Sequence, residues 1–295
     1  KRVINSPYHL YTGATVNGWT AYQQLFMGDN GENGASVEAV FPVLQDGKRT
    51  AAYGGTVFLI NACYDKAATV NSNGTAGCNL YENANWAGVR ARKDLIDKFF
   101  PNNNAPSVTG AVMPHEAGDD RALFDGVGRT ITQNTSADLS VFTKGFAVVK
   151  YNNFYSTGAS AKDLRYADTD FFMFRVAEAY LTYAEATARL NGGQTTTEGT
   201  DLINKLHIRA HAAPRTTGAY TLNDILNEWC KEFYFEGRRR VDLIRFNKFG
   251  GNVNYNWAWK GGERNGRNFA AIRNVFAIPN SDMIVNHNLK QNPGY

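Results

Sequence analysis

Glu228, Glu232 and Glu236 recur every four residues in NEWCKEFYFEGRRRVDLIRFNKFGG (residues 227–251). A helix through them therefore carries three carboxylates in a line on one face. Gly237 breaks that helix, and Arg238, Arg239, Arg240 and Arg245 follow with Asp242 among them. Such a set could be an active site, but the stronger reading is an ion-pair lattice that ties a helix end to the tail. Guanidiniums stay charged, cannot serve as bases and suit bidentate pairing with carboxylates. Thr221 and Asp224 upstream form the pattern of a capping box, with Asp in the place of Glu.

The helical text begins earlier, at Asp168. In DTDFFMFRVAEAYLTYAEATARLNGG, the residues Arg175, Glu178, Thr182, Glu185 and Arg189 make one polar stripe, and Gly192-Gly193 ends the helix. Leu202, Ile203 and Leu206 mark a second, shorter helix after Thr200. The first 160 residues read differently: rich in Gly, Asn, Asp and aromatics, with strand-like pieces VEAVFPV (Val37–Val43), TVFLI (Thr56–Ile60) and KGFAVVKY (Lys144–Tyr151). WAGVRARKDLIDKFF (Trp86–Phe100) is expected as a short amphipathic helix ending before Pro101. The expected fold is mostly α with long irregular loops and a few short strands. A loop-rich ligand-binding region spans 1–160 and a helical region 161–295, within one continuous unit.

Composition narrows the classes of function. A net charge of +4, with no Lys/Arg block outside the arginine-rich segment, gives no support to nucleic-acid binding. No apolar run approaches the length of a membrane-spanning helix. Cys63 and Cys78 bracket a polar loop and either close a disulfide or stay as two thiols, while Cys230 reads as a small buried hydrophobe. No Cys/His spacing suits zinc, and the histidines (His9, His115, His207, His211 and His287) have no G-x-S-x-G partner for a serine hydrolase.

A sugar presents apolar C–H faces and a rim of hydroxyls, so its binder needs flat aromatics beside Asn, Asp, Gln or Arg. The segment 61–86 offers that mixture in Asn61, Tyr64, Asp65, Lys66, Asn71, Asn73, Tyr81 and Trp86. Tyr64 and Tyr81 are the preferred stacking residues. Trp19, Tyr22, Trp257 and Trp259 stand between stacking and packing roles. Asp168 and Asp170 read first as caps for the helix that follows, with a structural calcium site as the sharper alternative. Asp29, Asn30 and Glu32 are a second acidic candidate.

Three blocks in order resemble the C-terminal signature of the SusD/RagB family, the surface glycan-binding lipoproteins of Bacteroidetes nutrient uptake. The first is Glu228, Glu232, Phe235, Glu236, Gly237, Arg239, Asp242, Leu243, Ile244 and Arg245; the second is Trp257, Trp259, Lys260, Gly261 and Gly262. The third is Ile278, Pro279, Asn288, Leu289, Gln291, Asn292, Pro293, Gly294 and Tyr295. Trp229 and His287 depart from the pattern, where arginine and proline are usual. Tyr53–Gly55, Asn85–Arg90 and Asp119–Phe124 also look familiar. The recurrence of the tryptophan motifs across that family favours packing for Trp86, Trp257 and Trp259. The resemblance implies tetratricopeptide-type helices, no catalysis and no required cofactor. It also implies oligosaccharide or polysaccharide as ligand and a SusC-like TonB-dependent transporter as partner. Family members are about twice this long, so the chain, which starts at Lys1, is expected to be a C-terminal half. The N-terminal half would supply the lipid anchor that holds such a protein on the outer membrane, facing outward. A carboxylate-dependent glycoside hydrolase and a helical-repeat interaction scaffold are the competing functions.

Overall fold

The structure is a computed structural model and describes residues 1–68, 77–80 and 85–295. It divides into two compact units, Lys1–Glu236 and Gly237–Tyr295. The division falls after Glu236.

The first unit contains the strands β1 (Ala39–Val43), β2 (Phe124–Asp125), β3 (Ala147–Val148) and β4 (Phe171–Arg175). Its helices are α1 (Ala21–Gln24), α2 (Thr56–Asn61), α3 (Lys93–Ile96), α4 (Met113–Ala117), α5 (Val176–Leu190), α6 (Thr197–Arg209) and α7 (Leu222–Phe233). β1 pairs antiparallel with β4, and β2 with β3. Regular structure is thus mostly helical, as expected, with a few short strands. The helix pair is present: α5 packs on α6 and on α7. Thr221 caps α7 with the reciprocal Thr221–Asp224 box that the sequence announces.

Several local expectations are corrected. The segment at Thr56 is helical, not a strand. Gly55 enters it at φ 61°, and the buried positions Thr56, Val57, Ile60 and Asn61 follow helical spacing, which leaves Phe58 outside. Residues 86–92 form no helix, with Ala87 at φ 51°, and only Lys93–Ile96 is helical in the segment read as one helix. The long helix starts at Val176. The residues before it are claimed by β4, where Phe41 and Phe172 of the two strands lie on opposite sides of the pairing and β1 supplies the backbone partners. Asp168 and Asp170 are therefore not its caps; Arg175 holds the cap position.

A continuous core of aromatics and aliphatics runs through the part before α5 and reaches Tyr234 after α7, including Tyr22, Phe26, Ile60, Tyr64, Phe124, Val148 and Tyr151. The second unit holds α8 (Arg239–Arg245) and α9 (Asn280–Val285). Around the W-x-W-K-G-G motif, Lys260 is 1% exposed and lies 4.8 Å from the Trp257 ring and 4.9 Å from the Phe269 ring. Its Nζ donates to the carbonyl of Tyr255 at 2.8 Å. The motif thus encloses a lysine in aromatic rings, a packing role for Trp257. In the tail the Gln291 amide clasps Ile278 from both sides, accepting from its N–H and donating to its carbonyl at 2.9 Å each.

Candidate functional site

The glutamate line of α7 builds a lattice with cations that the first unit supplies from elsewhere in the chain. Arg175 has five N–H groups and all five find acceptors. Nε and Nη2 form a fork on Glu236 (2.8 and 2.9 Å), Nη1 reaches Glu38 (2.9 Å) and Glu232 (2.6 Å), and Nη2 also meets the Glu232 carbonyl at 2.9 Å. Arg121 forks onto Asp119 (2.8 and 2.9 Å) and reaches Glu228 and Glu232. Arg209 bridges Glu38 and Glu232 at 3.0 and 2.5 Å. Lys150 donates to Glu236 (2.6 Å) and to the carbonyls of Glu232 (3.2 Å) and Tyr234 (2.9 Å). Around the glutamates, then, the lattice is made with Arg121, Arg175, Arg209 and Lys150, while Arg239 donates to the Tyr255 hydroxyl (3.0 Å) and Arg245 lies on Asp242 (2.8 Å). Sequence reasoning found the carboxylates because they share one helix. It missed the cations because β4, α6 and the Asp119–Arg121 turn are joined only by folding.

This lattice is no catalytic centre. Burial opposes the charge on Glu228, but Arg121 and His207 outweigh it and hold the carboxyl down to about 2. For Glu232, burial is likewise overcome by Arg209, Arg175 and Arg121, and its carboxyl is held below the usual range. Burial pulls Lys150 down to about 8 against the pull of Glu236. Three acceptors for three N–H groups still keep it an ammonium at neutral pH. Every one of these groups is buried, and their oxygens are taken. A glycan cannot reach them.

The segment singled out for stacking divides sharply. Asn61 and Tyr64 are wholly buried. Tyr64 has its ring in the core and a hydroxyl with no hydrogen-bond partner among the described residues, so it offers no face to a ligand. Asp65 accepts both its oxygens' bonds from Nη2 of Arg129, at 2.7 and 2.8 Å, and is a surface tie. Asn71, Asn73 and Tyr81 lie outside the described residues. Cys63, Cys78 and Cys230 are buried free thiols, and burial pushes the Cys63 and Cys78 thiols up to about 12 and about 11.

Among the described residues of that set, Trp86 has an open ring, 42% exposed. The non-helical stretch 86–89 is hydrogen-bonded along the end of α2: Trp86 N–H to the Asn61 carbonyl (2.8 Å), Ala87 to Tyr64 (3.0 Å), Gly88 and Val89 to Ala62 (3.0 and 2.7 Å). That backbone clamp sets the indole beside Phe58, which is 49% exposed, with ring centroids 6.0 Å apart. Two open rings held on fixed backbone make a surface platform. Phe58 was invisible as long as its segment read as a strand. Read as a helix after Gly55, it is the outward position. A second exposed cluster places the Arg165 guanidinium 5.5 and 5.6 Å from the rings of Tyr53 and Tyr166, with Nε on the Tyr53 hydroxyl at 2.6 Å. Trp19 and Tyr22 are buried and belong to the core.

The acidic candidates clip loops together. Asp168 accepts from the backbone N–H groups of Gly47 and Lys162 (2.8 Å each), and Asp170 from that of Gln45 (2.7 Å). Asp29 accepts from the backbone and hydroxyl of Ser156 at 2.9 and 2.7 Å, and Asn30 spans the carbonyls of Leu25 and Asp170 at 2.9 Å each. Glu32 lies on Lys162 at 3.4 Å. No group of three or more His, Cys, Asp or Glu among the described residues could hold a metal ion.

The model of the SusD family matches residues 54–295. The chain belongs to that family. It is 37% identical, over 323 aligned positions, to the starch-binding protein SusD of Bacteroides thetaiotaomicron; all of this chain and 54% of the relative are covered. The chain therefore spans about half the length of the curated relative it matches. Among solved structures, a SusD superfamily protein from Parabacteroides distasonis superposes with a TM-score of 0.59 at 16% identity, over 99% of this chain and 55% of that one. Surface glycan-binding protein A of Bacteroides thetaiotaomicron, solved with laminarihexaose, gives 0.53 at 19% identity, over 99% and 57%. At such identity the likeness is one of fold.

Proposed function

We propose that this SusD-family chain binds oligosaccharide or polysaccharide without catalysis, through the Phe58–Trp86 platform. The platform is the observation that carries the reading. It has two exposed rings fixed on backbone, in a chain whose α7 glutamates are buried and paired. Stacking on apolar sugar faces needs no acid or base. The starch-binding relative makes α-glucans the first ligands to try, and β-glucans the second. In the cell, we place the whole protein at the outward face of the outer membrane by a lipid anchor, handing glycan to a TonB-dependent transporter. No helix among the described residues is long and apolar enough to cross a membrane.

Affinity electrophoresis in gels containing starch or laminarin, with calorimetry on maltohexaose and laminarihexaose, tests the reading. Retardation that disappears in Trp86→Ala is expected. Release of reducing ends from either polymer by the pure chain would replace it with the glycoside hydrolase. A Trp86→Ala variant that binds as well as the parent would remove the platform from the site.

A further inference from the structure

A second concave place lies in the first unit, in a part of the chain that the platform does not use. A cavity of about 350 Å³ is lined by Gly18, Thr20, Gln23, Ala111, Pro114, His115, Gly118, Asp119, Asp120 and His211. Its floor is polar and buried, with Gln23 at 8% and Asp120 at 9% exposure. Two left-handed backbone positions build it: Gly118 at φ 58° and His211 at φ 49°. A non-glycine residue at positive φ is held there by its surroundings, and such strain gathers at ligand-facing places. Here the backbone N–H of Asp120 donates to the carbonyl of Ala210 at 2.8 Å, which locks the two turns together.

The hydrogen-bond inventory of the floor is incomplete in a telling way. His211 Nδ1 pairs with Asp120 Oδ2 at 2.6 Å and the Thr20 hydroxyl also faces the Asp120 carboxylate, which leaves the remaining carboxylate lone pairs and, while the ring is neutral, His211 Nε2 as acceptors. Gln23 spends its Oε1 on the N–H of Thr20 at 2.9 Å, which leaves its amide N–H groups. The cavity thus presents a planar donor, a carboxylate oxygen and an imidazole nitrogen within one small space. No Lys or Arg lines it, and two carboxylates do, so anions are disfavoured. No Phe, Tyr or Trp lines it either, so a sugar held here is gripped chiefly by its hydroxyls.

We propose that this cavity is a second binding site, for a single neutral sugar unit or similar polyol. Asp120 and Gln23 take neighbouring hydroxyls and His211 orients the carboxylate. The choice of sugars as ligand rests on the glycan-binding reading, but the cavity is separate from the Phe58–Trp86 platform. Asp120→Asn keeps the shape and removes the charge, and Ala111→Phe fills the space.

Nuclear magnetic resonance on the whole chain is the test, following the His211 ring and the Gln23 amide while D-glucose, D-galactose, maltose or inorganic phosphate is added. Saturable shifts with the sugars and not with phosphate are expected. Asp120→Asn should weaken the response about tenfold, the scale of a charged hydrogen bond. Ala111→Phe should abolish it, and Trp86→Ala should leave it as it was. Silence towards every sugar, an equal response to phosphate, or an unaltered Asp120→Asn overturns the inference. If the parent chain is still retarded by starch or laminarin in that case, only the cavity falls. If the cavity responds while no polymer retards the chain, the platform reading falls instead.

Discussion

The lattice under α7 and the platform at Phe58–Trp86 both set aromatic rings beside polar groups, and they use them in opposite ways. In the lattice, every ring and every charge is spent inside the protein. The Arg175 guanidinium, wholly buried, sits 4.0 Å from the Phe233 ring, and Lys150 lies 4.4 Å from both Phe26 and Tyr234. On the platform the rings stay open, and only the backbone is tied down. The difference teaches that polar-aromatic composition does not locate a binding site. What matters is whether the groups have already been satisfied by one another.

The largest expected break in the comparison comes from Arg175→Ala. It strands Glu38, Glu232 and Glu236 in the interior and should cost roughly 3–5 kcal/mol of stability, or prevent folding. Chemical denaturation measures it. A midpoint equal to the parent's would show that the lattice is not structural.

The lattice should also give stability a mildly acid optimum. Glu228 is held at about 2 in the folded state against 4.5 outside it, so its contribution is present above pH 4.5 and fades as pH falls towards 2. His207 works from the other side. Burial opposes its charge, but Glu228, at 3.0 Å from Nε2, prevails and raises it above 6.5. Nδ1 faces the carbonyl of Ala213 at 2.8 Å, so the doubly protonated ring suits both acceptors. Its contribution is whole below pH 6.5 and is lost as pH rises through the raised value. Lys150 runs counter to this, with a folded value of about 8 below its ordinary 10.5, and relieves a burial cost as pH climbs between those values. Melting temperatures between pH 3 and 8 in about unit steps should peak between the two carboxylate and imidazole limits. In His207→Gln the decline towards pH 8 should flatten, and a profile identical to the parent's would separate His207 from the lattice.

On the platform the effect moves from stability to binding. Trp86→Ala should weaken oligosaccharide affinity by about 1–3 kcal/mol while changing stability by less than about 1 kcal/mol. Calorimetry and a melting curve on the same sample read both. Loss of stability without loss of affinity would make Trp86 part of the core after all.

Tyr64→Phe is the smallest expected change, and its sign sharpens the contrast. It removes a buried hydroxyl that has no partner among the described residues. Stability should hold or rise by up to about 1 kcal/mol, with glycan affinity untouched. Weakened binding in Tyr64→Phe would return that residue to the ligand site.

Much of the helical half was legible. The Thr221–Asp224 box, the stripe from Glu178 to Arg189 and the Gly192-Gly193 stop are local signals, and local signals survive in sequence because their partners lie within a turn or two. The same locality explains the errors. A short apolar run such as TVFLI satisfies strand and helix alike until the buried face is known. The residues before Val176 had no way to announce the β1 strand that claims them.

By itself, then, the sequence determined the family, the carboxylate line of α7, the capping of that helix and the presence of an aromatic-polar segment near Trp86. Those are properties of residues close together in the chain, or of motifs in order. Tertiary structure alone decided which cations meet Glu228, Glu232 and Glu236, why Tyr64 is spent in the core while Trp86 is open, and how Gln23, Asp120 and His211 come to share one cavity. The partners lie 21 or more residues apart, and burial, which sets whether a polar group or a ring is still available, exists only once the chain has folded.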